Sequence, residues 1–93
     1  MNYKIIIQKS AEKFLKKQPR KIQERLLIAI YKLPKGTDIK KLQGHNMYRM
    51  KVGNIRILYT VDDVIKIISV EEIDSRGDIY KRLKWFDLQQ LNL

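Results

Sequence analysis

The fold is decided by residues 47–61, which read Met47-Tyr-Arg-Met-Lys-Val-Gly-Asn-Ile-Arg-Ile-Leu-Tyr-Thr-Val61. Polar and apolar side chains alternate on both sides of Gly53-Asn54, a pattern that predicts two antiparallel strands joined by a two-residue turn. In that register Lys51 lies opposite Arg56, and Arg49, Lys51 and Arg56 share one face of the hairpin. The apolar partners on the other face are expected to pack against helices.

A third strand is predicted after this hairpin, over Val64 to Val70. Asp62-Asp63 separates it from the second strand and is expected to form another two-residue turn. Carrying the pairing through that turn sets Ser69 opposite Arg56. Residues 47–70 are therefore predicted as a three-stranded antiparallel meander.

The chain before the meander predicts one strand and two helices. Tyr3 to Gln8 is rich in β-branched residues and is expected to form a central strand buried on both faces. Ser10 is a candidate cap for a helix over 11–18, and Pro19 is suited to the first position of a second helix that ends near Leu33. The second helix has a single apolar stripe, formed by Ile22, Leu26, Ala29, Ile30 and Leu33. Residues 37–46 are interpreted as a connection with one helical turn.

The resulting fold class is α+β, with an N-terminal strand, two helices, a three-strand antiparallel meander and a C-terminal tail. The helices are expected to pack on one face of the sheet. Residues 1–93 form a single predicted domain, because single cores usually hold about 100–150 residues. The tail, residues 77–93, is rich in apolar side chains, and a short strand end followed by a helix is expected there.

The composition excludes several classes of function. The chain has 93 residues, no cysteine and one histidine, which excludes a disulfide framework, a thiolate zinc site, a cysteine nucleophile and a multi-histidine metal site. No cofactor or metal is therefore expected. No apolar run approaches the roughly 20 residues that span a bilayer, and the N-terminus does not resemble a signal peptide. A cytoplasmic protein without a membrane partner is expected.

The positive charge is concentrated in the first two thirds of the chain. The formal net charge is +10, and nine Lys/Arg stand against two Asp/Glu in residues 1–33, whereas residues 61–93 are net negative. Such a field attracts nucleic acid, an acidic protein or an anionic membrane surface, and charge alone does not choose among them. A solvated basic surface is the simplest alternative.

Five residues are candidates for a functional site. Arg49, Lys51 and Arg56 converge on one sheet face, where like charges opposite each other destabilise a hairpin unless water or an anion compensates. Arg76 and Tyr80 are expected near the end of the sheet, where arginine can bind a phosphate and tyrosine can stack on a base. In the alternative interpretation the cationic face is merely solvated, Arg76 pairs with an aspartate, and Tyr80 anchors the tail.

These motifs resemble a known family. Lys41-Leu-Gln-Gly44, the stretch Tyr48-Arg-Met-Lys-Val-Gly-Asn-Ile-Arg-Ile-Leu-Tyr59, and Arg76-Gly-Asp-Ile-Tyr80 are similar to the RelE/ParE toxin superfamily of bacterial and archaeal toxin–antitoxin systems. The resemblance covers nearly the whole chain, including the order of its elements. It implies a RelE-like fold and a cognate antitoxin protein as partner in a hetero-oligomer.

The RelE-type branch implies an enzyme, an endoribonuclease (mRNA interferase) that cleaves mRNA in the ribosomal A site without a metal and so inhibits translation. By this resemblance Arg49 and Lys51 contact the reacting ribose and phosphate, and Arg56 stabilises the phosphate in the transition state. Arg76 corresponds to an arginine that protonates or stabilises the leaving group, and Tyr80 to a tyrosine that orients the nucleotide. The helical lysines are expected to contact ribosomal RNA.

The sequence departs from the family pattern at two points. Ser75 precedes Arg76 where many members have histidine or glycine, and the single histidine, His45, is interpreted as a solvated loop residue. Glu71 and Glu72 add negative charge near the proposed site. Three alternatives stay open: a ParE-like toxin that binds DNA gyrase without nuclease activity, an inactive relative that only binds antitoxin, and a small basic nucleic-acid-binding domain.

Overall fold

The structure is a computed structural model, and it describes residues 2–42 and 46–75. Five strands and two helices occur in this part of the chain, in the order β1 (Lys4–Ile7), α1 (Lys9–Lys16), α2 (Arg20–Tyr31), β2 (Ile39–Lys41), β3 (Met47–Val52), β4 (Ile55–Asp62) and β5 (Ile67–Asp74). The strands form one sheet in the order β1-β5-β4-β3-β2. The predicted α+β class, with both helices on one face, is confirmed, whereas the predicted structure of the tail falls outside the described residues.

Strand β1 lies at an edge of the sheet, so the prediction of a central strand was wrong. It pairs in parallel with β5 alone, with Ile6 beside Ser69. Ile5 and Ile7 pack against the core, while Lys4 and Ile6 are exposed. The β-branched run indicated a strand correctly, but the strand has only one neighbour and only one of its faces meets the helices.

Helix α1 begins at Lys9, and the predicted cap was wrong. Gln8 occupies the N-cap position without a capping side-chain hydrogen bond. Ser10 instead donates its hydroxyl to Glu72 Oε2 at 2.8 Å, which connects the first turn of α1 to β5. The Ser10 hydroxyl therefore binds Glu72 on a distant strand and does not cap the helix.

Helix α2 follows the sequence pattern closely. Pro19 is the N-cap residue and not the first helical residue that was predicted, and the helix ends at Tyr31, two residues before the predicted end. The Pro19 carbonyl accepts hydrogen bonds from the backbone N–H groups of Ile22 and Gln23, both at 3.0 Å. The predicted stripe faces the sheet: Leu26 and Ile30 are buried, and Leu33 continues the buried surface just after the helix. The periodicity of apolar residues thus predicted the orientation of the helix as well as its existence.

The connection between α2 and β3 contains strand β2, which the sequence analysis missed. Ile39 pairs with Met50 and Lys40 with Arg49, where one helical turn had been expected. Three residues are too short a run to show a period of two. The strand exists because β3 offers it an unpaired edge.

The loop between β4 and β5 is longer than predicted. Asp62 pairs with Ile67, so four residues separate the strands instead of the Asp62-Asp63 turn. Asp62 Oδ1 accepts hydrogen bonds from the backbone N–H groups of Val64 and Ile65 at 2.9 and 3.1 Å. This side-chain turn shifts the start of β5 to Ile67 and changes every later partner in the register.

The core lies between the two helices and one face of the sheet. It unites Ala11, Leu15, Leu26, Ile30 and Leu33 with Met50, Ile57, Tyr59, Ile68, Val70 and Ile73. Alternation along β3 and β4 turns the intervening residues to the opposite side of the sheet, which we call the distal face. No helix in the described ranges is long and apolar enough to cross a membrane.

Candidate functional site

The three candidate cations of β3 and β4 lie together on the distal face. Lys51 is directly opposite Arg56, Arg49 is opposite Leu58, and Gly53-Asn54 forms the turn between these strands, as predicted. Gly53 has φ of 60°, a conformation that glycine adopts without steric cost. The two-residue turn sets the register and thereby brings the basic side chains into one patch.

The neighbour of Arg56 on β5 differs from the prediction. Asp74, and not Ser69, is opposite Arg56, while Ser69 is opposite Thr60. The longer loop moves β5 along the sheet, and Glu71 is an extra residue between the pairs Tyr59–Val70 and Leu58–Glu72. The expectation that only cations line this patch must therefore be corrected.

The distal face therefore carries positive charge on β3 and β4 and negative charge on β5. One cross-sheet row runs Lys51, Arg56, Asp74, and the adjacent row runs Lys40, Arg49, Leu58, Glu72. Leu58 is 1% exposed and Asp74 is 6% exposed, so this side of the sheet is not a uniformly hydrated surface. An anion finds positive charge over β3 and β4 and repulsion over β5, which favours binding toward the hairpin end.

Arg49 has a defined ionic partner. Its Nη2 atom lies 3.3 Å from Asp38 Oδ1, and only 15% of the Arg49 side chain is exposed. Asp38 lies just before β2, has φ of 54°, and accepts the backbone N–H of Lys51 on its carbonyl at 3.1 Å. The same residue thus contacts the Arg49 guanidinium and the backbone of Lys51.

A second polar cluster occupies the junction of β1, α1 and β5. Gln8 Nε2 donates to Ser69 Oγ at 2.8 Å, and Ser69 Oγ donates to Glu71 Oε2 at 2.6 Å. Together with the Ser10–Glu72 hydrogen bond, these contacts engage both carboxylates next to the bulge. Among the described residues, no group of three or more His, Asp or Glu side chains is arranged to hold a metal ion.

The aromatic residues of the hairpin belong to the helix side of the sheet. The rings of Tyr48 and Tyr59 stack with centroids 5.5 Å apart, and Lys41 Nζ lies 5.9 Å from the centre of the Tyr48 ring. Burial raises the pKa of Tyr59 to about 12, with a smaller contribution from Tyr48. These rings stabilise the core and do not line the distal face.

A basic groove adjoins the site at the hairpin end. It has a volume of about 300 Å³ and lies between α2 and the end of β3, with Arg25, Lys32 and Lys51 as its charged lining. Ile28, Met50 and Val52 add apolar surface. Lys51 therefore borders both the distal-face patch and this groove.

Three residues singled out in the sequence cannot be positioned. Arg76, Tyr80 and His45 lie outside the described residues. The sequence analysis in turn missed Asp38 and Asp74 as neighbours of the basic patch. Asp38 was recognisable in one respect: it is the single acidic residue among the six Lys/Arg of residues 34–60.

Comparison with known proteins identifies the class. Fold and sequence define a toxin of a type II toxin–antitoxin system, within the RelE/ParE superfamily. A family model described as the ParE toxin of type II toxin-antitoxin system, parDE, matches residues 5–80. Because this match spans most of the chain, the protein belongs to that family. A search of curated proteins finds no significant match.

The chain is similar in fold to several solved RelE toxins. The archaeal RelE–RelB complex from Pyrococcus horikoshii OT3 is 30% identical, with a TM-score of 0.69, over 83% of this chain and 98% of that chain. The RelB–RelE antitoxin–toxin complex from Methanococcus jannaschii is 32% identical, with a TM-score of 0.67, over 83% and 96%. RelBE2 from Mycobacterium tuberculosis is 21% identical, with a TM-score of 0.69, over 82% and 100%, and shows the shared fold.

Proposed function

We propose that this toxin is a ribosome-dependent endoribonuclease that cleaves mRNA in the A site. The observation that carries the proposal is the convergence of Arg49, Lys51 and Arg56 on the distal face. A phosphate that lies between Lys51 and Arg56 is attracted by both side chains, and the arginine can bind it with two parallel hydrogen bonds. A binding module without such chemistry has no need for this arrangement.

The proposed reaction is an internal phosphoryl transfer. The ribose 2′-oxygen attacks the adjacent phosphorus, the bond from phosphorus to the 5′-oxygen breaks, and the products are a 2′,3′-cyclic phosphate and a 5′-hydroxyl. The 2′-hydroxyl loses its proton as it attacks, and the departing 5′-oxygen gains one. Cations that face the phosphate stabilise the charge on its oxygens, and this electrostatic effect is usually the largest part of such catalysis.

Each residue has a proposed role in this reaction. Lys51 and Arg56 bind the non-bridging oxygens from neighbouring strands, and Arg49 contacts the ribose and phosphate from the adjacent row. By the family resemblance, Tyr80 orients the nucleotide and assists removal of the 2′ proton, and Arg76 stabilises the leaving oxygen. Cationic side chains supply the charge stabilisation, so the proposed reaction needs no metal or cofactor.

The ribosome and an antitoxin are the proposed partners. Lys and Arg side chains on α1 and α2 are exposed, and they provide a surface for ribosomal RNA. A cognate antitoxin is supported by the two archaeal structures, which are complexes of RelE with RelB. An antitoxin that is acidic or amphipathic would cover the basic surface and block the site, in part by displacing the 77–93 tail. This function requires a cytoplasmic location.

The decisive experiment maps mRNA 5′ ends on programmed ribosomes with the purified toxin. We expect A-site cuts that leave a 2′,3′-cyclic phosphate and a 5′-hydroxyl. Lys51→Ala, Arg56→Ala and Tyr80→Phe should each lower the cleavage rate by about 10²–10³-fold. Lys4→Ala is the matched control, because it removes one exposed positive charge from β1, at the opposite edge of the sheet. Full activity in all three variants would refute the site.

A second function is favoured by one observation: the matching family model is that of ParE toxins. In this alternative the protein binds DNA gyrase and does not cleave RNA. Expression in cells separates the two, since intact mRNA with accumulated DNA breaks indicates gyrase poisoning. Neither cuts nor breaks would identify an inactive relative that only binds antitoxin.

A further inference from the structure

The residue of interest is Asp38, which precedes the short strand β2. Its carboxylate is 3.3 Å from the guanidinium of Arg49. Its backbone carbonyl accepts the N–H of Lys51 at 3.1 Å. One residue therefore constrains a side chain and a backbone segment that are neighbours on the distal face.

Asp38 binds the Arg49 guanidinium without occupying all of the N–H donors of that arginine. The Arg49 side chain is only 15% exposed, and a charged side chain with so little exposure requires a charged or hydrogen-bonding partner. Guanidinium carries five N–H donors in a rigid fork, so one carboxylate contact leaves donors for a second anion. The 3.3 Å separation exceeds the roughly 2.7–2.9 Å of a tight charge-assisted hydrogen bond. Asp38 therefore orients the Arg49 guanidinium and leaves some of its N–H donors available.

The backbone conformation explains why an aspartate suits this position. Asp38 has φ of 54°, in the left-handed region, which aspartate, asparagine and glycine enter more readily than other residues. That conformation accompanies the carbonyl contact with Lys51 and the carboxylate contact with Arg49. Because glycine and asparagine tolerate the same φ, the carboxylate can be removed without straining the chain.

We propose that Asp38 is a positioning residue that sets Arg49, and through its backbone Lys51, in the geometry that receives the scissile phosphate. This inference rests on the proposed nuclease function and deepens it. Asp38 acts through Arg49 and does not itself contact the substrate.

The first test measures single-turnover cleavage on programmed ribosomes. Asp38→Gly is compatible with the backbone conformation and removes the carboxylate. We expect the rate constant at saturation to fall about tenfold or more, with the half-saturating concentration changed by less than about threefold. Asp38→Asn keeps size and conformation but loses the charge and should give an intermediate rate. Glu24→Gln is the matched control, since Glu24 also pairs with an arginine, Arg20, at 3.5 Å on the exposed surface of α2.

A double-mutant cycle distinguishes positioning from a merely structural role. If Asp38 acts through Arg49, Asp38→Gly should cause no further loss of rate in an Arg49→Ala background. If Asp38 only stabilises the fold, the two losses multiply, and each follows the melting temperature of the variant. Multiplicative losses would overturn the proposal. Should Asp38→Gly fail to fold, Asp38→Asn carries the same cycle.

A measurement without catalysis separates this inference from the proposed function. In the intact toxin, the NMR signal of the Arg49 Nη2–H, which faces Asp38, should exchange slowly with water, and Asp38→Gly should accelerate that exchange while Glu24→Gln does not. Asp38→Gly should also weaken binding of a short 2′-O-methyl RNA, which cannot be cleaved. If the wild type holds Arg49 and binds this RNA but does not cleave ribosomal mRNA, the nuclease proposal fails and the positioning role stands. An unchanged Arg49 signal in Asp38→Gly overturns the positioning role.

Discussion

Replacement of Lys51 by methionine should raise the free energy of unfolding and strongly lower the cleavage rate. Methionine keeps most of the length of the unbranched apolar side chain and removes the ammonium charge. Lys51 lies opposite Arg56, and Asp74 is one strand further across the sheet. The variant therefore removes the electrostatic repulsion between Lys51 and Arg56.

The expected gain follows from the strand spacing. We take a charge separation of about 6 Å for Lys51 and Arg56 and about 10 Å for Lys51 and Asp74, from neighbouring strands about 4.8 Å apart. With an effective dielectric constant of about 40, the repulsion is about 1.4 kcal/mol and the attraction about 0.8 kcal/mol. The net gain of about 0.6 kcal/mol corresponds to a rise in melting temperature of about 2–5 °C in a domain of this size.

The assay pairs thermal unfolding with ribosome-dependent cleavage. Melting in low salt and in about 1 M NaCl tests the electrostatic origin, because the Debye length falls from about 10 Å at 0.1 M to about 3 Å at 1 M. The stability gain should vanish in high salt. The cleavage rate should fall about 10²–10³-fold, as expected for loss of one group that stabilises the transition state.

Lys40→Met provides the matched control. Lys40 is opposite Arg49, but Asp38 lies 3.3 Å from that arginine and offsets its charge. Its melting temperature should therefore change by less than about 2 °C, and its cleavage rate should stay near that of the wild type. A Lys51→Met protein that melts no higher than the wild type and still cleaves would refute the reasoning about the basic patch.

Three further predictions concern stability alone. Tyr59 has a pKa of about 12 in the folded protein, whereas a tyrosine in the unfolded chain ionises near pH ~10. The free energy of unfolding of the wild type should therefore fall by about 2–3 kcal/mol as the pH rises from about 10 to about 12. Urea unfolding of Tyr59→Phe over the same pH range should show a fall that is smaller by about this amount. Gly53→Ala should lower the free energy of unfolding by about 1 kcal/mol, because alanine is strained at the φ of 60° found there. Nothing lies within 4 Å of the added Cβ, so no steric clash adds to this cost, and an unchanged melting temperature would contradict the prediction. Ile57→Ala, at a position with no exposure, should cost about 2–5 kcal/mol in urea unfolding, and a cost below 1 kcal/mol would show that the core is loosely packed there.

The first hairpin was predictable because its register is a local property. A two-residue turn at Gly53-Asn54 leaves a single pairing, and alternation then assigns each side chain to a face. Lys51 opposite Arg56 and Met50 opposite Ile57 follow directly, and both pairs are observed. The stripe of α2 was predictable for a similar reason, since a period of 3.6 residues determines which side of a helix is apolar.

The register of the second hairpin, between β4 and β5, was not predictable from local sequence. Asp62 binds two backbone N–H groups of the loop, so the turn has four residues and β5 starts at Ile67. The bulge at Glu71 then changes the partner of each residue between Leu58 and Arg56. Small local differences accumulate along a ladder, and as a result Asp74, and not Ser69, faces Arg56.

By itself, the amino-acid sequence determined that three cations share one face of a hairpin and that two helices cover the other. Tertiary structure alone decided what surrounds those cations. Asp38 reaches Arg49 from the position just before β2, and Asp74 on β5 lies opposite Arg56. Both are contacts between segments distant in sequence, and neither composition nor periodicity encodes which distant residue becomes a neighbour. The basic patch was therefore readable in the sequence, whereas its acidic boundary and the orientation of Arg49 required the folded sheet.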